Sequence, residues 1–190
     1  MKNDTRQLIM DTAWKHFSRY GYSQTNINDI CKEIGITKGP LYYYFRDKSD
    51  LYNRVIITEM EKVRRQYAEI FTADIPVMEM LEKDMALCTA ENPLIQQIDE
   101  SMASGRRMDR YSKLSACVYE LKKAAFEQGI AKGELKAGSS VDDMLNFLYI
   151  FTFGIKSLEN KLPVISPLGF FEKQKAISLF LTTFREKYVD

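Results

Sequence analysis

The stretch TNINDICKEIGITKGPLYYYFRDK, running from Thr25 to Lys48, has the form of two short helices joined by a tight turn. Ile27, Ile30, Cys31 and Ile34 recur at i, i+3, i+4 and i+7, so their apolar side chains share one face of a helix. Thr25 stands at the N-cap position expected for that helix. Gly35 is placed to end it, because glycine enters the left-handed backbone region without a Cβ clash. Ile36 then tucks into the corner, and Thr37 is positioned to cap the next helix.

The faces of that second helix can be counted at about 100° per residue. Leu41, Tyr44 and Phe45 gather on the inner side, whereas Gly39 and Tyr43 lie opposite, flanked by Lys38, Pro40 and Tyr42. A face meant only to be wet usually carries Glu, Lys or Gln. Here phenol hydroxyls can donate to phosphate oxygens, rings can pack on sugars or thymine methyls, and a bare glycine permits close backbone approach. Pro40 is the third helical residue counted from Thr37, where its missing N–H has no intrahelical partner to lose. The pattern is that of a helix-turn-helix whose second helix enters the major groove of a duplex.

Over residues 6–55 the chain resembles the DNA-binding domain of the TetR/AcrR family of transcriptional regulators. Ile9, Ala13, Phe17, Gly21 and Tyr22 stand where that family has its first-helix core, terminating glycine and following aromatic. The run ITKGPLYYYFRDKSDLY, Ile36 to Tyr52, follows the family pattern, with Pro40 in place of the more usual Thr, Ser or Ala and its hydroxyl or methyl. The resemblance implies an all-α chain: a three-helix helix-turn-helix domain over 1–47, with its motif at 25–44, and a helical ligand-binding and dimerisation domain over 48–190. It further implies a homodimer joined through its last two helices, a double-stranded pseudo-palindromic operator, and a small-molecule effector whose binding alters the separation of the recognition helices. Combined with the helix faces, it puts Thr25, Asn26 and Lys48 on phosphates at helix starts. Thr37, Lys38, Tyr42 and Tyr43 then enter the groove, with Gly39 and Pro40 in van der Waals contact.

Charge and composition are compatible with this without carrying it. The net charge is +1, yet residues 1–65 hold twelve Lys and Arg against eight Asp and Glu, while the remainder holds fifteen against eighteen. Cys31, Cys88 and Cys117 are far apart and form no C-x-x-C pair, so each is expected to be a small buried hydrophobe rather than part of a disulfide or zinc site. His16 is the only histidine, and no nucleophile-base, paired-carboxylate or glycine-rich phosphate constellation can be assembled around it. No enzyme activity, metal or cofactor is therefore expected. With no long apolar span and no signal-peptide pattern, a cytoplasmic protein without membrane contact is expected.

Beyond the motif, helical periodicity continues. Asp47 and Asp50 are placed to cap a helix from Lys48 to about Phe71, and Asp74 and Pro76 start another through Val77, Leu81, Met85 and Cys88. Asn92-Pro93 opens a short piece through Ile95, Ile98 and Met102, closed by Gly105. A further helix runs from Asp109 to near Gly129, and Ser140 with Asp143 caps the next. Val141 to Leu158 is apolar around nearly its whole circumference, which suits either a central core helix of a monomer or burial against a second copy. Phe170, Phe171, Ile177, Phe180, Leu181, Phe184 and Tyr188 mark the last helix. Six of nine methionines fall between residues 60 and 108, a density that fits an adaptable cavity and an ordinary core alike. Tyr67, Met85, Met102 and Tyr111 are the candidate effector lining, and Arg106, Arg107 and Arg110 form either an anion-binding or a solvated basic turn. The alternative for this domain is a dimerisation scaffold that takes no ligand.

Overall fold

The computed structural model describes residues 2–90, 92, 94, 109–165 and 172–190. Every regular element among them is an α-helix: α1 (Lys2–Gln24), α2 (Ile27–Glu33), α3 (Lys38–Tyr44), α4 (Lys48–Phe71), α5 (Val77–Thr89), α6 (Asp109–Ala131), α7 (Val141–Ile165) and α8 (Lys173–Tyr188). No described helix is long and apolar enough to cross a membrane. Ile95, Ile98, Met102, Gly105, Arg106, Arg107, Met108, Phe170 and Phe171 lie outside the described residues, as does the side chain of Arg110.

The chain divides into two compact units, Met1–Arg64 with Asn92–Ser115, and Arg65–Glu91 with Ala116–Asp190. This differs from a boundary after residue 47. The first turns of α4 carry Leu51, Tyr52 and Val55 into the same core as the preceding helices, so the N-terminal unit cannot end before them.

In the first unit, Ile9, Ala13 and Phe17 of α1 meet Ile27, Ile30 and Cys31 of α2, Leu41 of α3, and Phe45. Gly21 interrupts α1 at φ 71 and ψ 168, which lets Tyr22 pack on Phe17 and Tyr52 with ring centroids 6.2 and 4.9 Å away. Asn26, rather than the expected Thr25, caps α2: its Oδ1 accepts the Asn28 N–H at 2.9 Å. Thr25 is instead turned inward, and its hydroxyl donates to the Gly21 carbonyl at 2.7 Å. The far end of α2 closes as expected. Gly35 takes φ 70, while the Ile36 and Gly35 N–H groups return to the carbonyls of Cys31 and Lys32 at 3.0 and 3.3 Å. Asp47 caps α4 by accepting the Asp50 N–H at 2.8 Å.

In the second unit, α5 packs on α7 and α8 around Leu81, Met85, Phe126, Leu145, Leu148, Phe180 and Phe184. Pro76 precedes α5 and has no side chain to cap it, so the Val77 N–H donates to the Glu134 carboxylate at 2.7 Å. Gly129 is needed where α6 meets this point, since a Cβ there would stand 2.5 Å from Val77 Cγ2. Ser140 caps α7 by accepting the Asp143 N–H at 3.1 Å. That helix continues past the expected Leu158 to Ile165. Its inner face buries Met144, Leu145, Leu148 and Ile155, while Ile150 and Phe153 on the other side are 73% and 74% exposed.

Candidate functional sites

The candidate recognition surface is built by α3. Leu41 and Phe45 are fully buried and anchor the helix, which leaves its outer face in solvent. Thr37, Lys38, Gly39, Pro40, Tyr42 and Tyr43 are all exposed on it; Tyr42 is 47% and Tyr43 72% accessible. Tyr43 is steadied edge-on by Tyr44, with ring centroids 5.0 Å apart. Thr37 is the N-cap by backbone conformation, but its hydroxyl makes no capping bond. Around Gly39 the nearest atom to a built Cβ would be Thr37 Oγ1 at 3.9 Å, so the backbone here is bare.

The remaining sequence candidates sit differently. Asn26 is exposed beside this face in sequence, whereas Thr25 is buried and its hydroxyl is already bonded. Lys48 is half-buried. Its Nζ donates to the Ser23 carbonyl at 3.3 Å and lies 4.7 Å from the Tyr22 ring centre. His16 joins α1 to α2 through Glu33, with Nε2 2.7 Å from Oε2. Burial pushes the Cys31 thiol up, although Lys38 partly offsets this.

A second constellation lies inside the second unit, where sequence reasoning found only Tyr67. Lys122 of α6 and Asp84 of α5 are buried, at 2% and 0% exposure, with Nζ 2.9 Å from Oδ2. The Cys88 thiol donates to the other Asp84 oxygen at 3.5 Å, and the Tyr67 hydroxyl lies 3.2 Å from Cys88 Sγ. Three ring centres surround the ammonium: Tyr67 at 5.2 Å, Phe71 at 5.5 Å and Tyr149 at 5.1 Å. Burial, followed by the nearby Asp84 charge, raises the Cys88 thiol to about 11. Burial also raises the Tyr67 phenol above its ordinary value. Of the other lining candidates, Met85 is in the apolar core. Tyr111 is exposed and belongs to the first unit, and Met102 lies outside the described residues. A sequence signal for Lys122 did exist: it continues the stripe of Leu114 and Val118 at i+4 and precedes Phe126 by four, a charge at a core position.

Known proteins share both the motif and the fold. Residues 9–55 match the family model described as bacterial regulatory proteins, tetR family. The HTH-type transcriptional regulator AcrR of Shigella flexneri is 44% identical over 52 residues, which cover 27% of this chain and 24% of that protein. Along the whole chain, a TetR transcriptional regulator from Chloroflexus aurantiacus J-10-FL has the same fold, with TM-score 0.75, 20% identity, and coverage of 99% and 98% of the two chains. A chain from Saccharomonospora viridis, solved in complex with choline, also has TM-score 0.75, at 18% identity and 99% coverage of both chains. The local motif and the full-length helical fold agree: residues 9–55 belong to the DNA-binding domain of the tetR family, and the chain has the fold of the solved TetR regulators.

Proposed function

We propose that this regulator is a ligand-responsive repressor that binds a pseudo-palindromic DNA operator as a homodimer. The observation that carries the DNA reading is the outer face of α3, where Tyr42, Tyr43, Lys38 and the bare Gly39 backbone stand in solvent while Leu41 and Phe45 hold the helix from behind. Phenols, an ammonium and an open backbone suit base edges and phosphates. Asn26 and the start of α4 at Lys48 supply the flanking phosphate contacts, and Thr25 supports them from inside through its bond to Gly21. Two such modules on a two-fold axis match half-sites about one helical turn, or a multiple of it, apart.

Dimerisation is supported by the outer stripe of α7. Ile150, Phe153 and Leu158 are exposed there, and Gly154 between them meets nothing within 4 Å of a built Cβ, which leaves room for a second helix to approach. Ligand response, rather than an inert scaffold, is favoured by the Lys122–Asp84 pair. A buried ion pair adds little net stability over apolar packing, so its place in the core calls for another use. A chain of like fold is solved in complex with choline, which is consistent with a small-molecule ligand for this fold. Enrichment of random duplexes on the purified protein tests the proposal. It should return an inverted repeat, and recovery of no preferred sequence would remove the repressor reading.

A further inference from the structure

Lys122 is an unusual guest in its own site. A primary ammonium carries three N–H donors, yet among the described residues the only hydrogen-bond acceptor it meets is Asp84 Oδ2. Its other sides face the rings of Tyr67, Phe71 and Tyr149, each within 5.5 Å of Nζ. Ring faces attract positive charge but satisfy an N–H poorly compared with oxygen, so the cage suits a cation that has one N–H or none. An anion suits it badly, because it would stand against the Asp84 carboxylate and the negative faces of the rings.

The parts of the cage also differ in freedom. Asp84 is short, fully buried and held at its second oxygen by Cys88, which Tyr67 holds in turn. Lys122 has a flexible four-carbon stem that can carry its charge toward water. When that stem withdraws, it vacates the volume of its methylenes as well as that of the ammonium.

We propose that Tyr67, Phe71, Tyr149 and Asp84 form a binding site for a monovalent tertiary or quaternary organic ammonium ion, which enters by displacing the Lys122 ammonium. This names the ligand class for the effector response proposed above and rests on that reading only for its regulatory consequence. The exchange keeps one cation opposite one carboxylate.

Full-length Lys122→Met, which keeps an unbranched apolar stem and removes the resident charge, provides the test with tetramethylammonium chloride as probe. Thermal unfolding should show a lowered Tm that tetramethylammonium restores by several degrees at concentrations well above Kd. Equal sodium chloride or tert-butanol should not restore it. By calorimetry, the probe should bind this variant at least about tenfold more tightly than wild type, and methylammonium about tenfold more weakly than tetramethylammonium. Adding Tyr149→Leu should abolish the gain. Equal stabilisation by tert-butanol, or indifference to Tyr149→Leu, would overturn the site. Should Lys122→Met not fold, the neutral-cage variant Lys122→Met/Asp84→Asn carries the same comparison, and tetramethylammonium must again exceed tert-butanol. Cation binding that leaves operator affinity unchanged would support the cage and reject ligand-responsive repression. Operator release by another class of compound, with no tetramethylammonium binding in either variant, would reject the cage alone.

Discussion

Lys122 Nζ and Asp84 Oδ2 lie 2.9 Å apart with both side chains closed off from water. Attraction between the two charges offsets a desolvation cost that apolar residues would never incur, so the pair is stable only as a pair. Lys122→Ala should therefore cost about 3–5 kcal/mol in urea unfolding, because it leaves a buried carboxylate uncompensated. Lys122→Met with Asp84→Leu should come out near or above wild type. A double variant as weak as the single one would mean that the pair stabilises the core outright.

Two glycines should respond to alanine for different reasons. At Gly35 a Cβ would meet nothing within 4 Å, but φ is +70, so Gly35→Ala costs about 1–2 kcal/mol through the left-handed backbone. At Gly129 the obstacle is Val77 Cγ2, 2.5 Å from a built Cβ, so the cost of roughly 1–3 kcal/mol is one of overpacking. Adding Val77→Ala to Gly129→Ala should recover part of the second loss, as measured by thermal unfolding. No truncation should rescue Gly35→Ala.

The helix-turn-helix is legible in sequence because its determinants are local. Gly35 turns the chain so that its own N–H and that of Ile36 close α2 on the carbonyls of Lys32 and Cys31, all within a few residues. The cap of α2 is less legible, because Thr25 and Asn26 are both good caps and the choice between them depends on the backbone after Gly21, which turns Thr25 inward. Lys122 and Asp84 were not paired because 38 residues separate them and only tertiary packing brings them together. Periodicity shows where each stripe lies but not which polar residue on one stripe meets which on another.

The start of α4 should weaken in acid. The Asp47 carboxyl is held below the ordinary range first by the Asp50 N–H, then by Arg46. That of Asp50 is held down first by the Arg46 N–H and then by Arg54. Depressed folded values mean that the stabilisation is present above the unfolded pKa, near 3.9, and is lost as pH falls through the lower folded values. Asp47→Asn should therefore lower Tm at pH 7, with the gap to wild type closing below roughly pH 3. Trp14, the only tryptophan, lies in this unit and reports the transition by fluorescence. A gap that is constant across pH would assign the effect to something other than these carboxylates.

The exposed stripe of α7 predicts an oligomer that a single charge can break. Ile150 and Phe153 are 73% and 74% exposed and lie on one side of the helix at i and i+3. Large apolar side chains left in water at this spacing are unfavourable in a lone chain and favourable in an interface. Phe153→Asp should shift the protein from dimer to monomer in sedimentation equilibrium at micromolar concentration, with its helical circular dichroism retained. A dimer that persists in Phe153→Asp would move the interface elsewhere.

Operator binding should separate sequence-reading contacts from positioning contacts on the same helix. Tyr42 and Tyr43 are exposed while Leu41 and Phe45 are fully buried, so truncating the tyrosines removes surface contacts and leaves the anchors of α3 in place. Tyr42→Ala should weaken binding to the selected operator by about 1–3 kcal/mol, with little change in affinity for random duplex or in thermal stability. Lys38→Ala should act differently if it meets a phosphate. Affinity should then fall about equally for all sequences, and the slope of log K against log salt should shrink by about 1. Titrations of both variants at several salt concentrations distinguish the two roles. A Tyr42→Ala protein that binds its operator as tightly as wild type would mean that this face of α3 does not read DNA.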